Sequence, residues 1–200
     1  MGWRNLNSLS SKQFTCGHCG NIIATRHGFS SDNQQFIYIC SHCDQPTHFN
    51  AQGSQYPGVA PGNDVGHLPE ELAALYKEAR NCVASTSYTG AVLLCRKLLM
   101  NIGVSQGAED GKPFIHYVNY LADQGYIPPN GKGWVDHIRK KGNEATHEIA
   151  LMSKSDSEDL IAFSEMLMKF IYEFPNKVPS LVPEELHTKS NSIEKNGPST

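Results

Sequence analysis

The 200-residue sequence contains no run of about 20 apolar residues, so nothing in it is built to span a bilayer, and no membrane association is expected. It also lacks a surplus of positive charge. Lys and Arg number 17 against 20 Asp and Glu, a formal charge of −3, so no global basic field draws the chain onto nucleic acid or anionic lipid. Any contact with nucleic acid has to be local. The stretch from Met1 to Phe14 carries Arg4 and Lys12 among polar residues without the apolar core of a signal peptide, and Leu6 stands where myristoylation needs Ser or Thr. The expected setting is therefore a reducing cytoplasm. Charged residues make up only 18% and apolar residues 39%, too little charge for a disordered chain and enough apolar material for a core. The length allows one ordinary domain or two small ones and excludes a full-size barrel enzyme.

What the chain does have is six cysteines, and four of them are arranged in two pairs. Cys16 and Cys19, then Cys40 and Cys43, form two Cys-x2-Cys turns, the spacing that presents four thiolates tetrahedrally to one Zn2+. Ile22-Ile23 follows the first pair and Phe36-Ile37-Tyr38-Ile39 precedes the second, so each turn adjoins β-prone residues. The pattern predicts a small zinc ribbon over residues 1–49. A shell filled by four protein ligands is closed, so the metal is expected to be structural. His18, His42 and His48 stand nearby but are not needed as ligands. Up to residue 66, Arg4, Lys12 and Arg26 balance Asp32, Asp44 and Asp64. The ribbon thus lacks the electrostatic footprint of a nucleic-acid binder, and contact with a protein or plain stabilisation is equally well supported.

Residues 50–67 hold four glycines and two prolines, the composition of a flexible linker. Helical spacing then begins. Pro69 with Glu70 and Glu71 marks a start, Leu72, Leu75, Tyr76, Ala79, Cys82 and Val83 form one apolar stripe, and Tyr88, Val92, Cys95, Leu98, Leu99 and Ile102 form the next. A third helix is expected behind Pro113, with Phe114, Tyr117, Val118 and Leu121. A fourth runs through Trp134, Ile138, Ala145 and Ile149 if it is continuous across Gly142. Leu160, Phe163, Leu167, Met168, Ile171 and Phe174 mark a fifth, opened by a Ser155/Glu158 capping box and closed by Pro175. Cys82 and Cys95 fall on apolar stripes and read as buried small hydrophobes. The expected fold is mainly α, a five-helix bundle over residues 68–178 preceded by the small β ribbon. Residues 179–200 are polar and read as a disordered tail.

At about 100° per residue, Trp134, Ile138, Gly142, Ala145 and Ile149 cluster on one side of the fourth segment. Arg139, Asn143 and His147, joined by Asp136 and Lys140, form a polar stripe on the other. A solvated helix face accounts for such a stripe as well as a site does.

The residues from Leu68 to about Val178 resemble the bacterial domain of unknown function 4145. The resemblance rests on Leu68-Pro69-Glu70-Glu71, on Ala91 to Leu99, on Ile138-Arg139-Lys140-Lys141-Gly142-Asn143-Glu144-Ala145-Thr146-His147-Glu148, and on Ile171-Tyr172-Glu173-Phe174-Pro175. That family is helical, is grouped with the HEPN superfamily and often accompanies bacterial defence genes, so the helical half is expected to be HEPN-like. In HEPN ribonucleases an Arg and a His on one helix cut RNA without metal across a dimer cleft. The resemblance implies Arg139 on the phosphate, His147 as general acid or base and Asn143 orienting. Arg139 and His147 stand about 12 Å apart along a helix axis, so such a site implies a homodimer.

Three readings follow. The first is a cytoplasmic zinc-ribbon plus HEPN-like module that binds RNA, DNA or a protein partner, in a defence setting. The second is a metal-independent endoribonuclease using Arg139 and His147. The third is a purely structural adaptor.

Overall fold

The computed structural model describes residues 3–128, Gly133, Asp136, Lys140 and residues 151–177. Five strands come first: β1 (Asn7–Thr15), β2 (Ile22–Ser30), β3 (Phe36–Ile39), β4 (Pro46–Phe49) and β5 (Gln55–Tyr56). Each pairs antiparallel with its neighbour in the chain, giving one meander in the order β1-β2-β3-β4-β5. Four helices follow: α1 (Glu70–Ala84), α2 (Tyr88–Ser105), α3 (Phe114–Asp123) and α4 (Lys154–Met168). A π-helical turn, Lys169–Glu173, and a last helical turn, Phe174–Lys177, extend α4.

This arrangement overturns the mainly α, five-helix expectation. The described residues carry four helices behind a five-stranded sheet, and the sheet is a full structural layer rather than a small ribbon appended to a bundle. The reason lies in β1 and β2, nine residues each. Much of both strands is exposed, so Asn, Ser, Lys, Gln, Arg and His occupy strand positions and the alternation of apolar residues that betrays a strand is faint. The expected fourth helix, with Trp134, Ile138, Ala145 and Ile149, lies outside the described residues; Gly133, Asp136 and Lys140 within it are helical. The tail over 179–200 is likewise outside them.

α2 is the centre of the helical half, packed against α1, α3 and α4. It buries Val92, Cys95, Leu98, Leu99 and Ile102 completely. Each such aliphatic side chain contributes about 1.5–3 kcal/mol on leaving water. Gly103 lets α3 approach closely, because a Cβ there would lie 3.0 Å from the Tyr117 ring. The capping box of α4 is Ser153 with Asp156, two residues before the predicted pair: the Ser153 hydroxyl accepts from the Asp156 N–H, and the Asp156 carboxylate accepts from the Ser153 N–H. Pro175 does not stop the chain at once. A proline forfeits the hydrogen bond to the preceding turn, and the π-helical turn ahead of it supplies the irregular backbone in which that loss is tolerated.

Between sheet and helices, residues 57–67 run as a strap over α1 and α4. Arg80 on α1 donates through Nε to the Pro61 carbonyl and through Nη2 to the Gly62 carbonyl, both 2.8 Å, and pairs with Asp64. Glu165 on α4 is buried and accepts from the Asn63 N–H at 2.9 Å and from Asn63 Nδ2 at 3.0 Å, while also meeting Tyr76 and Lys169. Glu173 accepts from the Gly66 N–H at 3.0 Å and pairs with Lys177.

Burial alone would raise the Glu165 carboxyl, but hydrogen bonds from Lys169 and Asn63 outweigh it and hold it below its ordinary value. Glu173 is lowered by Lys177 and by the Gly66 N–H. A carboxyl depressed in the folded state stabilises the fold above its unfolded value of about 4.3 and loses that contribution as pH falls through the folded value. The helical melting temperature, followed by circular dichroism, is therefore expected to be flat above about pH 5.5 and to fall as pH drops below about 4.5. Glu165→Gln is expected to lower the plateau and shrink the acid-side drop.

Candidate metal centre

The two Cys-x2-Cys segments fold as matching turns at adjacent ends of the sheet. In the first, the Cys16 N–H donates to the Asn21 carbonyl at 2.9 Å and the Gly20 N–H to the Cys16 carbonyl at 2.8 Å. In the second, the Cys40 N–H donates to the Gln45 carbonyl and the Asp44 N–H to the Cys40 carbonyl, both 3.0 Å. Gly20, at φ +72°, and Asp44, at φ +57°, occupy the same left-handed position that reverses the chain. One turn uses glycine there and the other aspartate, whose carbonyl is held by the Trp3 indole N–H at 2.8 Å.

These turns bring the four sulfur atoms of Cys16, Cys19, Cys40 and Cys43 within 4.8 Å of one another. Cys16 Sγ lies 3.8 Å from Cys43 Sγ, and Cys19 Sγ lies 3.8 Å from Cys40 Sγ. A tetrahedron of sulfurs about 2.3 Å from a zinc ion has edges of about 3.8 Å, so the set has the size that zinc requires. The same separation is far beyond a disulfide bond, and all four thiols are free. The donors fit the ion chemically as well as geometrically.

The protons tell the same story. Burial raises Cys43, and the neighbouring Cys40, Cys19 and Cys16 thiols carry it further, to about 12, against a backbone hydrogen bond from Gln45. Cys16 is also raised by burial. For Cys19 burial is overcome by the side-chain and backbone groups of Asn21 and by the Cys43 and Cys16 sulfurs, and the thiol falls to about 6. Without a cation the quartet cannot hold four negative charges together; a divalent ion supplies the missing charge and expels the protons. Asn21, which donates through Nδ2 to Cys19 Sγ at 3.5 Å and approaches His42 Nδ1 at 3.2 Å, is a supporting group that the cysteine spacing did not single out. Its position immediately after Cys-Gly-His-Cys-Gly was the available signal. His18 and His48 are engaged elsewhere, with the Pro46 carbonyl and with Gln35.

Gly17 joins this centre to the rest of the molecule. A Cβ on it would fall 2.3 Å from the Pro57 carbonyl oxygen and 2.5 Å from that of Gly58, both backbone, while the Gly58 N–H donates to the Ala84 carbonyl at the end of α1. The first turn is thus seated on the strap, and the strap on α1. Gly17→Ala is expected to destabilise this joint by about 1–3 kcal/mol, because the backbone on the other side has nowhere to go. Its check is a lowered thermal midpoint with the metal-to-protein ratio unchanged.

The other predicted residues fare differently. Arg139, Asn143 and His147 all lie outside the described residues, so no geometry brings them together; Asp136 and Lys140 from the same stripe are helical and exposed. Cys95 is fully buried in α2 and its thiol is pushed up to about 12 by burial, the inert state expected of a core cysteine. Cys82 is half-buried and raised by burial as well. The guanidinium of Arg96 lies over the Phe114 ring, 4.7 Å from its centroid. No helix among the described residues is long and apolar enough to cross a membrane.

The model of the family described as "Domain of unknown function (DUF4145)" matches residues 77–195, more than half of the chain. No curated protein and no solved structure matches.

Proposed function

Since the chain belongs to the DUF4145 family, whose description assigns no activity, we propose from the geometry that it is a recognition adaptor: a β-module built around a structural zinc ion and seated on a helical domain. The sulfur quartet carries this reading. Cys16, Cys19, Cys40 and Cys43 would hold the ion and leave it no open position for substrate, so the zinc would supply folding energy and local charge compensation rather than Lewis-acid chemistry. The core beneath the sheet is small, Phe14, Ile23, Tyr38 and Phe49 with the buried Cys16 and Cys40. A module of this size needs such a staple. Trp3, Ile37 and Tyr56 stand exposed on the β-module, which supports recognition over plain scaffolding.

The division into residues 1–49, 50–67, 68–178 and 179–200, and a cytoplasmic setting that keeps the thiols reduced, belong to the same proposal. The ribonuclease reading and the defence setting draw on Arg139, Asn143 and His147 and on family resemblance; nothing among the described residues adds to them.

The test is elemental analysis of purified protein, with one zinc per chain expected. Because binding must displace thiol protons, zinc affinity should rise with pH, and acidification toward about pH 5 should release the ion to a chromogenic chelator. Protein that folds normally with no bound metal at neutral pH would refute the reading.

A further inference from the structure

Across the open face of the sheet, Phe29, Ile37, His48 and Tyr56 are consecutive cross-strand partners: Phe29 opposes Ile37, Ile37 opposes His48, and His48 opposes Tyr56. Directly opposed residues of antiparallel strands share a face, so these side chains form one row running across four strands. Trp3 prolongs the row, its ring 6.2 Å from that of Phe29. The His48 and Tyr56 rings lie 6.0 Å apart and within 27° of parallel. The opposite face carries the buried Tyr38 and Phe49, whereas Trp3, Ile37 and Tyr56 are 42%, 36% and 45% exposed. Beside the row the turn between β2 and β3 borders an open recess of about 280 Å3, lined by Ser31, Asn33 and Gln35 together with Phe29, Ile37 and His48. No carboxylate, ammonium or guanidinium group is among its lining residues.

We propose that this row and its recess bind single-stranded nucleic acid through the faces and edges of its bases; this rests on the adaptor reading and names its partner. Three features select that occupant. Aromatic rings offer stacking surfaces that suit any base. The side-chain amide of Asn33 presents a donor beside an acceptor, the pattern of a base edge, while Gln35, whose Oε1 meets His48 Nε2 at 2.9 Å, braces the ring beside it; the recess has room for one base rather than a folded polymer. The module's basic residues, Arg4, Lys12 and Arg26, exceed its acidic residues, Asp32 and Asp44, by only one, so phosphates contribute little and duplexes, whose base faces are stacked inside, are not ligands. An apolar peptide would want a continuous greasy groove, and the polar recess does not provide one.

The experiment uses the zinc-loaded full chain, its zinc content measured on the same sample, and fluorescence anisotropy of labelled single-stranded DNA, single-stranded RNA and the matching duplex. Single strands should bind at least about tenfold more tightly than duplex, with a log K against log salt slope shallower than about −2, since few phosphates are neutralised. The DNA and RNA arms show which backbone is preferred. Tyr56→Ala and Ile37→Asp, both at exposed positions, should each weaken binding roughly 5- to 100-fold, the worth of one stacked base, while Tyr56→Phe retains it. Zinc-loaded protein that binds neither single strand, binds duplex equally well, or binds unchanged after Tyr56→Ala and Ile37→Asp overturns the inference and leaves the metal reading standing. Binding by a folded, metal-free chain would instead support this inference and sink the zinc reading.

Discussion

Cys40→Ser is expected to abolish stoichiometric zinc binding and to leave residues 7–56 without fixed tertiary structure, while the helical half stays folded. The magnitude follows from comparing two quantities. Structural zinc contributes about 10–16 kcal/mol of apparent binding free energy near pH 7 in small zinc domains. The sheet's own core offers little against that: six buried residues, two of them ligands, each contribute about 1.5–3 kcal/mol, whereas ordering the backbone costs about 1–2 kcal/mol per residue. Serine is a poor ligand and removes the thiolate that makes one edge of the quartet, the 3.8 Å contact with Cys19. Elemental analysis should give close to zero zinc, and the near-ultraviolet signal of Phe14, Tyr38 and Phe49 should collapse with far-ultraviolet helicity retained. Cys95→Ala is the control, since its thiol lies in the helical core and its loss should leave the zinc in place. A Cys40→Ser protein that still carries one zinc per chain would mean that the quartet is not the metal centre.

The second large effect is expected at Glu165. Its carboxylate is buried with the Asn63 amides, the Tyr76 hydroxyl and the Lys169 ammonium around it, so Glu165→Ala strands a cation and three donors in a poorly hydrated site. Removing one member of a buried charge pair costs about 3–5 kcal/mol. For a chain of this length that corresponds to a drop of roughly 6–20 °C in melting temperature. The strap should also become cleavable: limited proteolysis between residues 57 and 67, slow in the native chain, should accelerate. Unchanged proteolysis together with an unchanged melting temperature would show that Glu165 is not what holds the strap.

The parts of this structure that sequence reveals are those whose signal is local. The cysteine spacing is one, because two tight turns with fixed internal hydrogen bonds dictate where each thiolate points. The stripes Leu72 to Val83 and Tyr88 to Ile102 are another, because a helix repeats its buried face every few residues and α1 and α2 bury those faces. The start of α4 was displaced by two residues because Ser153/Asp156 and Ser155/Glu158 have the same spacing, and only the tertiary position of the chain decides between them. Strand β1 and the length of β2 beyond Ile22-Ile23 escaped because a sheet with one open face needs few apolar residues. Glycine and proline composition describes a connection over residues 50–67 but says nothing of β5 within it or of Arg80, Glu165 and Glu173, whose claims on it come from distant parts of the chain. The aromatic row was invisible for the same reason: Phe29, Ile37, His48 and Tyr56 become neighbours only once the register of four strands is set.

The meander topology bears on the order in which the molecule assembles. Every pairing in the sheet joins strands adjacent in the chain, so the loops that must close are short and their closure entropy is small. The Asn63–Glu165 contact spans 102 residues and waits until both halves are formed. Newly made chain should therefore capture its metal early, from residues 16–43 alone, and lock the strap onto α4 last. Ribosome-bound nascent chains ending short of residue 154 should be zinc-competent yet still open at the strap.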